Sequence, residues 1–205
     1  MPSLQTMLNL ENGKSQCIVT YGTSLTDGAV WVEDLDAQLE KRYPGLATVI
    51  NSAKAAMWSQ WGVENLADKI LIHKPDMVFI EFAINDAYLP YETTLDQCRS
   101  RLERMIESIL EINSQCDIVL MTMNPPVGGS LDVRPNFNEY YELYHSVAKE
   151  RELSLIDHFA AWNAILVENP DQFHQWVPDS IHPIAEGSLA VTAKGVQQFL
   201  FDRNS

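Results

Sequence analysis

The sequence predicts an α/β fold built on a parallel sheet of five strands. Short apolar runs rich in β-branched residues alternate with longer segments of helical periodicity along the whole chain. No internal repeat, low-complexity tract or linker interrupts that alternation, so residues 1–205 are expected to form one domain, with 1–14 as an N-terminal extension.

The first strand is expected over 17–21, apolar enough to be buried on both faces. It ends at Gly22, which permits a sharp turn, and two hydroxylic residues, Thr23 and Ser24, follow. Helical spacing of Trp31, Val32, Leu35 and Leu39 predicts a helix over 31–43, stopped by Pro44-Gly45. A short second strand over 47–50 leads into Asn51. Val63, Leu66, Ile70 and Leu71 place a helix over 62–73, closed by Pro75, and 77–82 reads as the clearest central strand. Over 94–113, Leu95, Cys98, Leu102, Met105, Ile106 and Ile109 repeat at three and four, and Thr94 with Gln97 makes a capping box. A fourth strand over 117–121 runs into a Pro- and Gly-rich loop over 122–136. Then come a helix over 137–151, a fifth strand over 153–156, a short helix over 157–168, a loop over 169–181 and a closing helix over 185–202.

Charge narrows the function classes. Fourteen Lys and Arg against 28 Asp and Glu leave a net charge of −14, with no basic run. Phosphate backbones and anionic membrane surfaces need clustered cations, so neither nucleic acid nor membrane is an expected partner. Cys17, Cys98 and Cys116 are odd in number and widely spaced, which reads as small buried hydrophobes rather than a disulfide framework. The N-terminus lacks a cationic-then-apolar signal segment, and the apolar stretch 77–84 is too short to span a bilayer, so a cytoplasmic location is expected. His73, His145, His158 and His174 have no metal-ligand spacing, so no metal is expected.

In an open parallel sheet, ligands bind at the carboxyl ends of the strands. Four places in this sequence fall there: Ser24, the stretch 51–56, Asn85, and Asp179 with His182. The three-residue spacing of Asp179 and His182 lets a carboxylate hold an imidazole whose far nitrogen takes a proton from serine. The same residues also read as a helix cap and a surface histidine before Pro183, and spacing alone does not separate the two.

Taken together, Gly22-Thr23-Ser24-Leu25, Asn51 with Ala56, Ala83-Ile84-Asn85-Asp86 and Asp179-Ser180-Ile181-His182-Pro183 resemble, in order and separation, the four blocks of the SGNH hydrolase (GDSL esterase/lipase) superfamily. The resemblance implies a flavodoxin-like three-layer α/β/α sandwich and a cofactor-free hydrolase of esters and related acyl compounds. It makes Ser24 the nucleophile, His182 its base and Asp179 the residue that orients the ring. The backbone N–H groups of Ser24 and Ala56 and the side-chain amide of Asn85 then form the oxyanion hole, a role in which each donor is worth roughly 3–4 kcal/mol.

Three residues depart from the family pattern: Thr23 replaces an aspartate, and Ala56 and Ala83 replace glycines. An alanine keeps a backbone donor in place without strain only where φ is negative. Glu81 reads either as a buried carboxylate paired near the site or as a strand-end residue. Trp58 and Trp61 read either as walls of an acyl or sugar pocket or as packing. Tyr88, Tyr91, Phe173 and Trp176, in loops expected at the same edge, read either as an exposed stacking platform or, tucked under, as a lid. Trp58, Trp61, Tyr88 and Trp176 are the candidate substrate contacts. The expectation is a serine esterase acting on a small-molecule ester, with short acyl groups such as acetyl on carbohydrate favoured by the loop aromatics and the lack of a long apolar lid. Thioesterase or lysophospholipase chemistry on the same fold, or a binding module that has lost turnover, are the alternatives.

Overall fold

A computed structural model describes residues 4–202. Its sheet has five parallel strands in the order β2-β1-β3-β4-β5: β1 Gln16–Gly22, β2 Ala47–Asn51, β3 Met77–Glu81, β4 Asp117–Thr122 and β5 Ser154–Asp157. Val19 pairs with both Ile50 and Val78, and Ile80 with both Tyr21 and Leu120, which fixes the register of the central strands. All five residues of β3 are buried, as an apolar strand covered on both faces must be.

The helices, in chain order, are α1 Gln5–Glu11, α2 Val30–Arg42, α3 Ser59–Glu64, α4 Leu66–Lys69, α5 Ala83–Asp86, α6 Leu95–Ile112, α7 Gly128–Asp132, α8 Phe137–Glu150, α9 His158–Glu168, α10 Pro170–Trp176, α11 Ala185–Gly187 and α12 Lys194–Phe201. A π-helical segment, Ser188–Ala193, joins α11 to α12. Helix α2 packs with that segment and α12, while α6 packs between α3 and α8, which gives layers on the two faces of the sheet. The capping box at α6 is present: Gln97 N–H donates to Thr94 Oγ1 at 3.2 Å and Thr94 N–H to Gln97 Oε1 at 3.0 Å.

Several local expectations change. Much of the stretch expected as an N-terminal extension is instead α1, whose Met7 and Leu10 are buried in the main core together with Leu4. Thr6 anchors it, N–H to Asp117 Oδ2 at 2.7 Å and Oγ1 to the Asp76 carbonyl at 2.8 Å, so α1 sits at the amino ends of β3 and β4. Residues 1–3 of that stretch lie outside the described residues. The helix expected over 62–73 is broken at Asn65 into α3, α4 and a 3₁₀ turn. The loops expected over 122–136 and 169–181 each hold a short helix, α7 and α10. Among the described residues no helix is long and apolar enough to cross a membrane.

Strand order matters for the site. The chain moves to one side of β1 to form β2 and to the other to form β3, β4 and β5. The crevice opens where those directions diverge, at the carboxyl ends of β1 and β3.

Candidate active site

Ser24 stands two residues beyond the end of β1, at that crevice. Its Oγ lies 2.8 Å from His182 Nε2. His182 Nδ1 lies 2.6 Å from Asp179 Oδ2. The other carboxylate oxygen, Asp179 Oδ1, accepts the backbone N–H groups of His182 at 2.7 Å and Ile181 at 3.1 Å. Partial burial alone would raise the Asp179 pKa, but the hydrogen bonds from His182 and Ile181 outweigh it and hold the group below the usual carboxylate range. Asp179 therefore organises its own turn and does not cap α11, which has no side-chain cap. A carboxylate on Nδ1 selects the tautomer with Nδ1–H and leaves Nε2 free to accept the serine proton.

That turn is strained. Ser180 has φ +76°, a conformation that favours glycine, and the loop after β4 holds it in place. Asn124 Nδ2 donates to the Ile181 carbonyl at 2.8 Å, and Val127 N–H donates to the Ser180 carbonyl at 3.0 Å. Asn124 is completely buried and was not singled out by spacing; an asparagine before Pro125-Pro126 at a strand end was the only signal.

The loop after β2 supplies the facing wall. Asp27 Oδ2 accepts Ala55 N–H at 2.8 Å, and Tyr91 OH donates to the Ala56 carbonyl at 2.6 Å. Among the described residues neither the Ala56 N–H nor the Ser24 N–H has a hydrogen-bond partner. Asn85, buried in α5, donates one amide hydrogen to the Met57 carbonyl at 2.9 Å and keeps the other. Its neighbour Asp86 accepts Ser59 Oγ at 2.7 Å and Ser59 N–H at 3.2 Å on one oxygen and Cys98 Sγ at 3.3 Å on the other. So Asn85 and Asp86 together pin the loop that carries Ala56. Ser24, Ala56, Asn85, Tyr88, Arg134 and His182 share a cleft of about 410 Å³. A second hollow of about 220 Å³ lies on the other flank of Ser24 and His182, between the Asp27-Gly28 turn and Pro183.

A profile of the GDSL-like lipase/acylhydrolase family matches residues 19–190. The chain belongs to this family. Its fold is shared with Axe2, an acetylxylan esterase from Geobacillus stearothermophilus, at 21% identity and TM-score 0.79, covering 92% of this chain and 95% of that one. It is similar to the lipase/acylhydrolase from Enterococcus faecalis at 26% identity and TM-score 0.74, covering 89% and 95%. A putative GDSL-like lipase from Parabacteroides merdae matches at 18% identity and TM-score 0.79, covering 96% and 98%. A search of curated proteins finds no match. Family membership makes the chain a carboxylic ester hydrolase.

Each departure from the GDSL pattern has a structural account. Ala83 opens α5 and is not among the positive-φ residues, so an alanine is free of strain there. Ala56 has φ +59°, so it holds a left-handed conformation at a cost of about 1–2 kcal/mol relative to glycine. At the turn after β1, the hydroxyl of Thr23 takes the place of the GDSL aspartate and a carboxylate arrives from the neighbouring strand. Glu81 Oε2 accepts Thr23 Oγ1 at 2.8 Å, Thr23 N–H at 3.1 Å and Thr26 Oγ1 at 3.2 Å. Of the two readings of Glu81, the buried carboxylate near the site is the one present. Burial raises its pKa to about 7, against the hydrogen bonds that pull it down, and Oε1 is buried without a partner among the described residues. Gly22 is needed for room rather than for backbone freedom: it lacks a positive φ, but a Cβ there would lie 2.5 Å from the Glu81 carbonyl oxygen.

The aromatics divide. Tyr88 and Tyr91 line the cleft, and Trp58 stacks on Tyr91 at 4.2 Å between ring centroids. Trp61 packs on Tyr21 and Phe82 instead. Trp176 and Phe173 belong to a satellite core with Trp162 and Val191, where Trp176 sits against Gly187 so closely that a Cβ there would be 2.7 Å away. Trp61 and Trp176 therefore stand outside the two hollows beside Ser24. No group of three or more His, Cys, Asp or Glu among the described residues could hold a metal ion.

Proposed function

We propose that the protein is a serine esterase that passes through an acyl-enzyme on Ser24 and removes short acyl groups, acetyl foremost, from carbohydrate. The observation that carries the reading is the unbroken relay from Ser24 Oγ through His182 to Asp179, at 2.8 and 2.6 Å. As the Ser24 oxygen attacks the ester carbon, His182 Nε2 takes its proton, and Asp179 stabilises the imidazolium. The negative charge that develops on the carbonyl oxygen meets the N–H groups of Ser24 and Ala56 and the free amide hydrogen of Asn85. His182 then protonates the departing alkoxide, and water, deprotonated by the same nitrogen, hydrolyses the acyl-enzyme.

Short acyl groups are favoured by the size of the hollow beside Pro183, about 220 Å³. Carbohydrate is favoured by the tyrosine wall of the larger cleft, since aromatic faces and hydroxyls suit sugar rings. The acetylxylan esterase activity named for Axe2 points the same way. A binding module without turnover is disfavoured by the serine already lying within hydrogen-bond distance of the imidazole. The test is acetate release from acetylated xylooligosaccharides beside hydrolysis of p-nitrophenyl acetate and p-nitrophenyl palmitate. The short ester and the acetylated sugar should be turned over and the long ester should not, and Ser24→Ala should lose at least about 10⁴-fold in kcat. Preference for the palmitate ester would reject the substrate class, and an active Ser24→Ala would reject the mechanism.

A further inference from the structure

Arg134 is the least expected side chain in the cleft. It is half-buried on the segment between α7 and α8, and among the described residues no carboxylate lies within ion-pair distance of it. Its Nε donates to the Ile84 carbonyl at 3.0 Å, Nη1 to the Ser130 carbonyl at 3.4 Å, and Nη2 to Asn85 Oδ1 at 3.2 Å. The guanidinium also lies over the Tyr88 ring, 4.6 Å from its centroid. Burial works against the charge and lowers the arginine pKa. Its donors meet three oxygens and its face an aromatic ring, so the guanidinium is fixed in place with its charge not neutralised by a carboxylate among the described residues.

We propose that Arg134 is a positioning residue that acts through Asn85, locking the amide so that its nitrogen faces the reacting carbonyl and sharpening it as a donor. The inference rests on the esterase reading above. Its chemistry is one-sided. A guanidinium has five donors and no acceptor, so the group facing it must be the amide oxygen. The opposite pole of the amide must then be Nδ2, where Met57 accepts one hydrogen and the other is left for an oxyanion. Withdrawing electron density through Oδ1 makes the N–H a stronger donor, an effect that grows as negative charge develops.

A role through Asn85 has a signature that direct substrate contact or general support of the fold lacks. The assay is steady-state hydrolysis of p-nitrophenyl acetate by Arg134→Met, Arg134→Gln, Asn85→Ala and the two double variants, each checked for folding by thermal denaturation. Asn85→Ala is expected to lower kcat about 100- to 1000-fold, as removal of one oxyanion donor does. Arg134→Met should lower kcat about tenfold with KM within about twofold of wild type, because an interaction made only in the transition state affects kcat alone. Arg134→Gln, which still offers one donor to Oδ1, should lose less, and it keeps the test available should the methionine variant not fold. In the Asn85→Ala background either change at 134 should have no further effect. Multiplicative losses in the double variants, or a rise in KM without a fall in kcat, would overturn the inference and leave the esterase reading standing. A fully active Asn85→Ala with an inactive Ser24→Ala would instead remove Asn85 from the oxyanion hole, and the inference with it. Loss of acetyl-ester turnover by the wild-type protein itself would be a failure of the underlying reading.

Discussion

Replacing Glu81 with glutamine should flatten the pH dependence of stability, because the carboxyl at 81 is the group most disturbed by folding among those that hold the Thr23-Ser24 turn. In the folded protein its pKa stands at about 7, against an ordinary value of 4.5, with burial as the cause. Between those two values the folded state keeps a proton that the unfolded chain releases. The stability this contributes is fully present below 4.5 and is lost as pH rises through 7. At about 1.4 kcal/mol for each pH unit of separation, the whole effect is on the order of 3 kcal/mol, of which roughly 2–3 kcal/mol falls between pH 5 and pH 8. Asp86, raised by burial to about 6 from 3.8, adds a slope of the same sign that the variant retains. Surface charge acts on both proteins alike. Urea denaturation of wild type and Glu81→Gln across pH 5 to 8 therefore isolates the term by difference. The variant should be weaker than wild type at pH 5, with the gap narrowing by roughly 2–3 kcal/mol at pH 8. Parallel curves would refute the reasoning, since Glu81 would then titrate alike in the folded and unfolded chains.

Two further expectations concern the loops that face each other across the cleft. Ala56→Gly relieves a left-handed alanine worth about 1–2 kcal/mol and gives back about 0.4–1 kcal/mol in unfolded-chain entropy, so stability should rise by up to about 1.6 kcal/mol, or by up to about 3–6 °C in Tm for a chain of this length; a drop in the calorimetric Tm would contradict it. Asp179→Asn keeps the turn but can present a hydrogen rather than an oxygen to Nδ1, which reverses the tautomer preference of His182, and kcat should fall about 10²- to 10⁴-fold. Thermal melts of that variant should stay near wild type, and unchanged kcat would show that the carboxylate plays no part in turnover.

Periodicity and spacing pointed to the sheet, its five strands and the edge at which chemistry could occur, because runs such as 17–21 and 77–82 are short and apolar on both faces, as buried central strands are. The same logic put Ser24, Asn85, Asp179 and His182 at that edge, but their roles came from the resemblance to the GDSL family, because spacing alone reads Asp179 and His182 equally as a cap and a surface histidine. Local signals failed where contacts across the fold decide. Residues 5–11 look like part of a polar N-terminal extension until Met7 and Leu10 find the amino edge of the sheet. Nothing in the spacing of Trp61 and Trp176 separates a pocket wall from packing; only their neighbours do, Tyr21 and Phe82 for one and Trp162 and Gly187 for the other. The partners of Thr23 and Asn85 were equally hidden, because Glu81 lies 58 residues from the first and Arg134 49 residues from the second. The strand pattern is a local property of the chain, legible one segment at a time. Which end of a buried amide meets a cation, and which carboxyl keeps its proton, depend on groups that become neighbours only when the sheet closes, and those were decided by the tertiary structure.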